Sequence, residues 1–256
     1  MPTDRKEFLG LRFDPLTKEE ALRRLCEATP ESGYSYVVTP NVDHVVRLHE
    51  SQETARRVRP LYEAADMCLC DSRILQLLAS LRGVSLPVVP GSELTATMFD
   101  RLIRPGDRIA VVGGDAALLA DLKYRYPGVE FVQHCPPMGL RTNPEARREA
   151  AEFIGRSGAR FTFIAVGSPQ QEMIASEVKA LPQAKGTALC IGASLEFLTG
   201  RVKRAPELAQ RLRLEWAHRL FSDPRRLWRR YLLEGPRVFL LAYRWRGPAG
   251  ERLASK

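Results

Sequence analysis

Gly167-Ser168-Pro169-Gln170-Gln171-Glu172 directly follows an apolar run that begins at Phe161. A buried strand that ends in Gly and passes at once into a helix is how an open α/β sheet builds a ligand site. Ser168 is expected to cap that helix and Pro169 to take its first position, where a missing N–H costs nothing. Gln170, Gln171 and Glu172 then fall in the first turn, beside unpaired N–H groups and the positive end of the helix dipole. Such a turn can hold an anion such as a phosphate. It can equally be an ordinary strand–helix junction.

The same logic recurs upstream. Tyr34–Val38 is β-rich and ends in Thr39-Pro40-Asn41, ahead of a helical period through Val42, Val45 and Val46. Thr39 and Asn41 therefore sit at a strand's C-terminal end, as ligand contacts or as helix caps. Asp71 ends the short strand-like segment 66–72, just before the helix 73–81. An acid there is placed for general-base chemistry or for capping. Arg108–Val112 is followed by Gly113-Gly114-Asp115, a third strand–Gly–helix junction. The dinucleotide fingerprint G-x-G-x-x-G is absent, which argues against a nicotinamide enzyme.

The elements that position these residues alternate strand with helix: helices over 16–28, 55–65, 116–126 and 143–156, and about seven strands, one of them at Pro87–Pro90. That pattern predicts an α/β fold, a mostly parallel sheet with helices on both faces. The chain has 256 residues, 45% of them hydrophobic, and no apolar run long enough to span a membrane. The N-terminus, MPTDRKEFLG, is charged and lacks the apolar segment of a signal peptide. Five cysteines, none in a C-x-x-C pair, and four scattered histidines give no zinc pattern and fit a reducing cytoplasm.

Near Gly200 the strands stop and the rest reads as helices, which divides the chain into a body, residues 1–200, and an appendage, 201–256. From Thr199 to Lys256 there are 15 Lys and Arg against 5 Asp and Glu. The whole chain carries 39 against 30, so the excess lies in the tail and the remainder is near neutral. Leu208, Leu212, Trp216 and Leu220 form one apolar stripe, and Leu227, Trp228, Tyr231 and Leu232 another, with arginines between. An Arg-rich amphipathic tail implies a polyanionic partner: an anionic membrane, a diphosphate or nucleic acid. Alternation of Arg with Leu and Trp, and the lack of a known nucleic-acid module, disfavour the last. Removing the chain after about Thr199 is expected to leave a folded body with little activity.

Taken in order, these pieces resemble the bacterial WecB/TagA/CpsF glycosyltransferases, glycosyltransferase family twenty-six. The matching segments are Thr39-Pro40-Asn41, Asp71, Val112-Gly113-Gly114, Gly167 to Glu172, Ile191-Gly192, Arg204-Ala205-Pro206, Leu214-Glu215-Trp216 with Arg219-Leu220, and Asp223-Pro224-Arg225-Arg226-Leu227 with Arg229-Arg230-Tyr231. The resemblance implies a Rossmann-like α/β/α body with a helical C-terminal appendage that meets the inner face of the cell membrane. It implies an inverting transfer, without metal or cofactor, from a UDP-sugar to a saccharide linked through diphosphate to a polyprenyl lipid. It makes Asp71 and Gln171 the expected catalytic residues. Thr39, Asn41, Gly113, Gly114, Gly167 and Ser168, with Arg219, Arg226 and Arg229 of the appendage, are the expected substrate contacts. It leaves a homo-oligomer open and makes nucleic acid the alternative partner only. The chain departs from the family pattern at Ser72, Glu93, Gln170 and the turn 191–197, all near the expected donor pocket.

Overall fold

The structure is a computed structural model that describes residues 4–27, 29, 33–202 and 235–247. A hairpin comes first, β1 (Lys6–Phe8) and β2 (Leu11–Phe13). Then follow α1 (Lys18–Cys26), β3 (Ser35–Val38), α2 (Val42–Leu48), α3 (Gln52–Glu63), β4 (Met67–Cys68), α4 (Arg73–Ser80) and α5 (Gly91–Arg101). The second half runs β5 (Arg108–Gly113), α6 (Ala116–Arg125), β6 (Glu130–His134), α7 (Pro144–Ser157), β7 (Phe161–Ala165), α8 (Gln170–Lys179), β8 (Thr187–Cys190) and α9 (Ser194–Leu198). The helix α10 (Arg237–Arg244) is the last described element.

Six strands form one sheet in the order β4-β3-β8-β7-β5-β6, and every pair is parallel. Side chains along a strand alternate between faces. Tyr36, Val38, Val112, Ile164 and Cys190 pack on one face against α2, α3, α4, α7, α8, α10 and the hairpin. Val37, Ile109, Val111, Phe161, Phe163 and Leu189 pack on the other against α1, α5, α6 and α9. Because both faces are covered, these strands read as apolar runs without alternation, as parallel sheets do. The result is the expected Rossmann-like α/β/α body with a mostly parallel sheet.

Local chemistry explains most helix starts. Thr17 caps α1 in a reciprocal box with Glu20: each side chain bonds the other residue's backbone N–H. Ser51 and Asn143 cap α3 and α7 in the usual way.

Two segments depart from the sequence reading. The strand expected at Pro87–Pro90 reduces to a single parallel bridge between Val88 and Cys70. Pro87 and Pro90 have no N–H to give, so the ladder cannot extend. The N-terminal hairpin was not expected. Its turn, Leu9-Gly10, takes positive φ at both residues, which a tight two-residue hairpin turn needs. It is held as core, with Phe8, Leu9, Leu11 and Phe13 buried and Asp14 Oδ2 accepting from Cys68 N at 2.8 Å.

The described end of the appendage is packed on the body. Val238 and Ala242 of α10 lie in the first core, and Trp245 meets Phe8 edge to face at 5.1 Å between ring centroids. Arg82 donates to the carbonyls of Ala242 and Tyr243, closing the helix's C-terminal end. The expectation of a body stable without its tail does not fit this packing. Burying a residue such as Val contributes about 1.5–3 kcal/mol. A chain ended at residue 234 is therefore expected to melt well below the full protein. An unchanged melting curve would show that α10 contributes nothing to the body's stability.

Candidate functional site

All six strands run the same way, so the turns after β3, β4, β5, β7 and β8 emerge at one edge of the sheet. From β3 the chain leaves to α2 on one face; from its neighbour β8 it leaves to α9 on the other. Where adjacent strands part like this, a crevice opens at their C-terminal ends. Thr39, Asn41 and Gly192 lie at this crevice. Asp71 joins them, because its N–H donates to Pro40 O at 3.0 Å.

Each expected residue has a distinct setting there. Thr39 is buried, and its hydroxyl donates to Cys190 O at 3.3 Å. Gly91 packs so close that a methyl group added to it would stand 2.9 Å from Thr39 Oγ1. Asn41 caps α2, accepting from Asp43 N at 3.0 Å, so its amide oxygen already serves the fold. Asp71 does not cap α4. That duty falls one residue later to Ser72, whose hydroxyl accepts from Leu75 N at 3.2 Å.

The turn after β7 corrects one expectation. Ser168 does not cap α8. Pro169 occupies the cap position and makes no side-chain cap bond, so the helix starts one residue later than expected. The physical reason is Arg47 on α2. Its guanidinium donates to Ser168 O at 2.8 Å and lies 3.2 Å from Ser168 Oγ, while Tyr62 OH is 3.3 Å from the same hydroxyl. Gly167 O accepts from Gln171 N at 2.9 Å. Among the described residues, no atom lies within 4 Å of where a side chain on Gly167 would start. A cavity of about 220 Å³ lies between α3 and α8, with Arg47 and Pro169 in its wall.

Gln171 and Glu172 fall in the first turn of α8, as expected, but both are buried. Gln171 Oε1 accepts from Gly192 N at 3.0 Å and its Nε2 donates to Glu172 Oε1 at 2.9 Å. The amide thus straps α8 to the turn after β8. Glu172 is 1% exposed, and among the described residues its Oε2 has no hydrogen-bond partner. Burial pushes its carboxyl above the usual glutamate range, against the opposing pull of the Gln171 amide.

Gly113 is the last residue of β5 and is buried beside β7, while Gly114, in the turn that follows, is exposed. Gly113 has φ +100°, and a methyl group there would come within 2.8 Å of Ala165 O and 2.9 Å of Val166 Cγ1. Gly113→Ala is expected to cost about 1–3 kcal/mol from the backbone conformation alone, before any displacement of Val166. A chemical-denaturation midpoint equal to the native protein's would contradict this. The next residue, Asp115, caps α6 and takes both ends of the Arg201 guanidinium at 2.5 and 3.0 Å. The Arg201 bonds hold its carboxyl down to about 2, so it stays ionised at any working pH.

Arg219, Arg226 and Arg229 lie outside the described residues, as do the matching segments from Arg204 to Tyr231. Among the described residues, no three His, Cys, Asp or Glu side chains come together as a metal-ligand set. No described helix is long and apolar enough to cross a membrane. Sequence reasoning missed Arg47 and the buried state of Glu172. An Arg in α2 carries no motif, and an acid in a helix's first turn reads as an exposed complement to the dipole.

A family model described as "Glycosyl transferase WecG/TagA/CpsF family" matches residues 6–251, nearly the whole chain. Among solved structures, one similar chain is glutamate racemase isoform RacE1 from Bacillus anthracis. The likeness has a TM-score of 0.30 and 10% identity, over 73% of this chain and 85% of that one. A likeness of that strength bears on neither substrate nor chemistry.

Proposed function

The chain belongs to the WecG/TagA/CpsF family of glycosyltransferases, which serve cell-surface polysaccharide synthesis, and from that premise we propose its donor, acceptor and residue roles. The donor is a UDP-sugar. The acceptor is a saccharide carried on a polyprenyl diphosphate at the inner face of the cell membrane. Residues 1–200 are the catalytic body and 201–256 the membrane-facing appendage. The observation that supports this reading is the backbone bond from Asp71 to Pro40. It brings the backbone of Asp71 against Pro40, between Thr39 and Asn41, at the mouth of the crevice.

The transfer inverts the anomeric centre. The acceptor hydroxyl oxygen attacks the anomeric carbon, its proton passes to the Asp71 carboxylate, and the bond to UDP breaks. UDP leaves with the added negative charge. Arg219, Arg226 and Arg229 meet that charge or the acceptor's diphosphate, since guanidinium forks bind phosphate oxygens bidentately. No metal is needed in this scheme. Thr39 and Gly167 border the substrate. Gln171, with both ends of its amide engaged, acts by holding the turn at Gly192.

Membrane association draws support from α10. Phe239, Leu240 and Tyr243 are exposed there, and Arg237, Arg244 and Arg246 lie close in sequence. Apolar side chains among arginines suit an anionic bilayer surface. The intact protein is expected to float with phosphatidylglycerol-containing liposomes and to leave duplex DNA unshifted at physiological salt. Binding to DNA with steep salt dependence, and none to liposomes, would favour a nucleic-acid partner instead. The donor class has its own test, a thermal-shift screen of UDP-sugars. Binding raises the melting temperature by mass action. No shift with any UDP-sugar at millimolar concentration would count against the donor site.

A further inference from the structure

Glu172 has no part in the transfer scheme above, yet it sits at the junction of the turns that frame the crevice. Its Oε1 accepts from Gln171 Nε2 at 2.9 Å, and Gln171 Oε1 accepts from Gly192 N at 3.0 Å. On its other side, His44 Nε2 stands 3.8 Å from the same Oε1. His44 Nδ1 in turn lies 2.8 Å from Asn41 Oδ1 and 3.1 Å from Asn41 N. One buried carboxyl therefore touches residues that fix the turn after β3, the start of α8 and the turn after β8.

We infer that Glu172 is a positioning residue that fixes the Gln171 amide and, through it, the Gly192 turn at the crevice. The geometry carries this. An amide can be turned either way unless one partner demands its oxygen and another its NH₂. Gly192 N–H demands the oxygen and Glu172 demands the NH₂. Among the described residues Glu172 Oε2 has no hydrogen-bond partner, which leaves Oε1 as the oxygen that engages Gln171. The groups around it are His44 and Arg47 from α2, Tyr36 from β3, Tyr62 from α3, Cys68 from β4 and Cys190 from β8. Burial holds the phenols of Tyr36 and Tyr62 and the thiols of Cys68 and Cys190 neutral through the working range. Removing the acceptor that Glu172 offers to Gln171 Nε2 is therefore expected to free the amide and loosen the Gly192 turn.

The inference rests on the transferase reading for its consequence but not for its geometry, and the test separates the two. Glu172→Gln keeps an acceptor for Gln171 Nε2 and cannot ionise; Glu172→Ala keeps neither the acceptor nor the volume. Both are made in the full-length chain with glycine-selective ¹⁵N labelling, the Gly192 resonance being assigned by its loss in Gly192→Ala. The expected result is a displaced Gly192 amide in Glu172→Ala and a native-like one in Glu172→Gln. Turnover should fall about 100-fold in Glu172→Ala, as for a site misplaced by about an ångström. In Glu172→Gln it should stay within about threefold of native.

A Gly192 amide unmoved in Glu172→Ala would overturn the inference. So would a Glu172→Gln variant as impaired as Glu172→Ala, which would mean that the charged pair with His44 is what matters. If Glu172→Ala does not fold, Glu172→Leu, which keeps the volume but offers Gln171 Nε2 no acceptor, takes its place with the same expected displacement of the Gly192 amide. If the amide moves as expected but the native protein releases no UDP from any donor, the positioning role stands and the transferase reading falls.

Discussion

Asp71→Asn is expected to lower turnover by about 100- to 10,000-fold, the range for losing a general base, while the melting temperature stays as it was. Asn has nearly the same shape and cannot take the acceptor's proton. The fold should tolerate it, because α4 is capped by Ser72 and Asp71 is tied to the crevice through its backbone N–H. Neither feature involves the carboxylate's charge. Donor binding should persist, since the charge that recognises UDP is supplied elsewhere. A variant that turns over at the native rate would remove Asp71 from the chemistry. One that also melts early would point to a structural carboxylate instead.

The second large effect is expected from the appendage arginines. Replacing Arg219, Arg226 and Arg229 together with Ala should reduce turnover by several orders of magnitude, since losing one preorganised contact to a developing oxyanion costs about 2–4 kcal/mol. The contacts act on shared charge, so the three losses will not simply add. The body should remain folded: α10, seated in the core through Val238 and Ala242, is untouched by these substitutions. Single Arg→Lys changes should recover only part of the loss, since a lysine is a point charge and lacks the planar fork. Full activity of the triple variant on a lipid-linked acceptor would leave the basic tail with a membrane role alone.

The layered body was legible from the residues. Apolar runs separated by amphipathic stretches of helical period give a parallel sheet, and Thr17 with Glu20, or Asn41 ahead of Val42, marks where helices begin. What stayed hidden has physical causes. The N-terminal hairpin has strands of three residues each, too short to show a period, and its fit depends on Cys68, Phe8 and Trp245 meeting across the chain. The Pro87–Pro90 run has a strand's apolar content but lacks the donors to pair. The start of α8 was misplaced by one residue because Arg47, more than a hundred positions away in sequence, claims the Ser168 oxygens. That Thr39, Asn41, Asp71 and Gly167 lie at strand ends along one edge of the sheet followed from the strand pattern alone. The commitment of Gln171 to Gly192 and Glu172 did not, because a hydrogen bond between two turns leaves no trace in local spacing.

Acceptor-dependent release of UDP tests the central claim most directly. The full chain is incubated with each of a panel of UDP-sugars, with and without a short-chain polyprenyl-diphosphate-linked saccharide. The expected result is release from one donor, at a rate that rises with acceptor and collapses in Asp71→Asn. Release from no donor, or release indifferent to the lipid-linked acceptor, would contradict it.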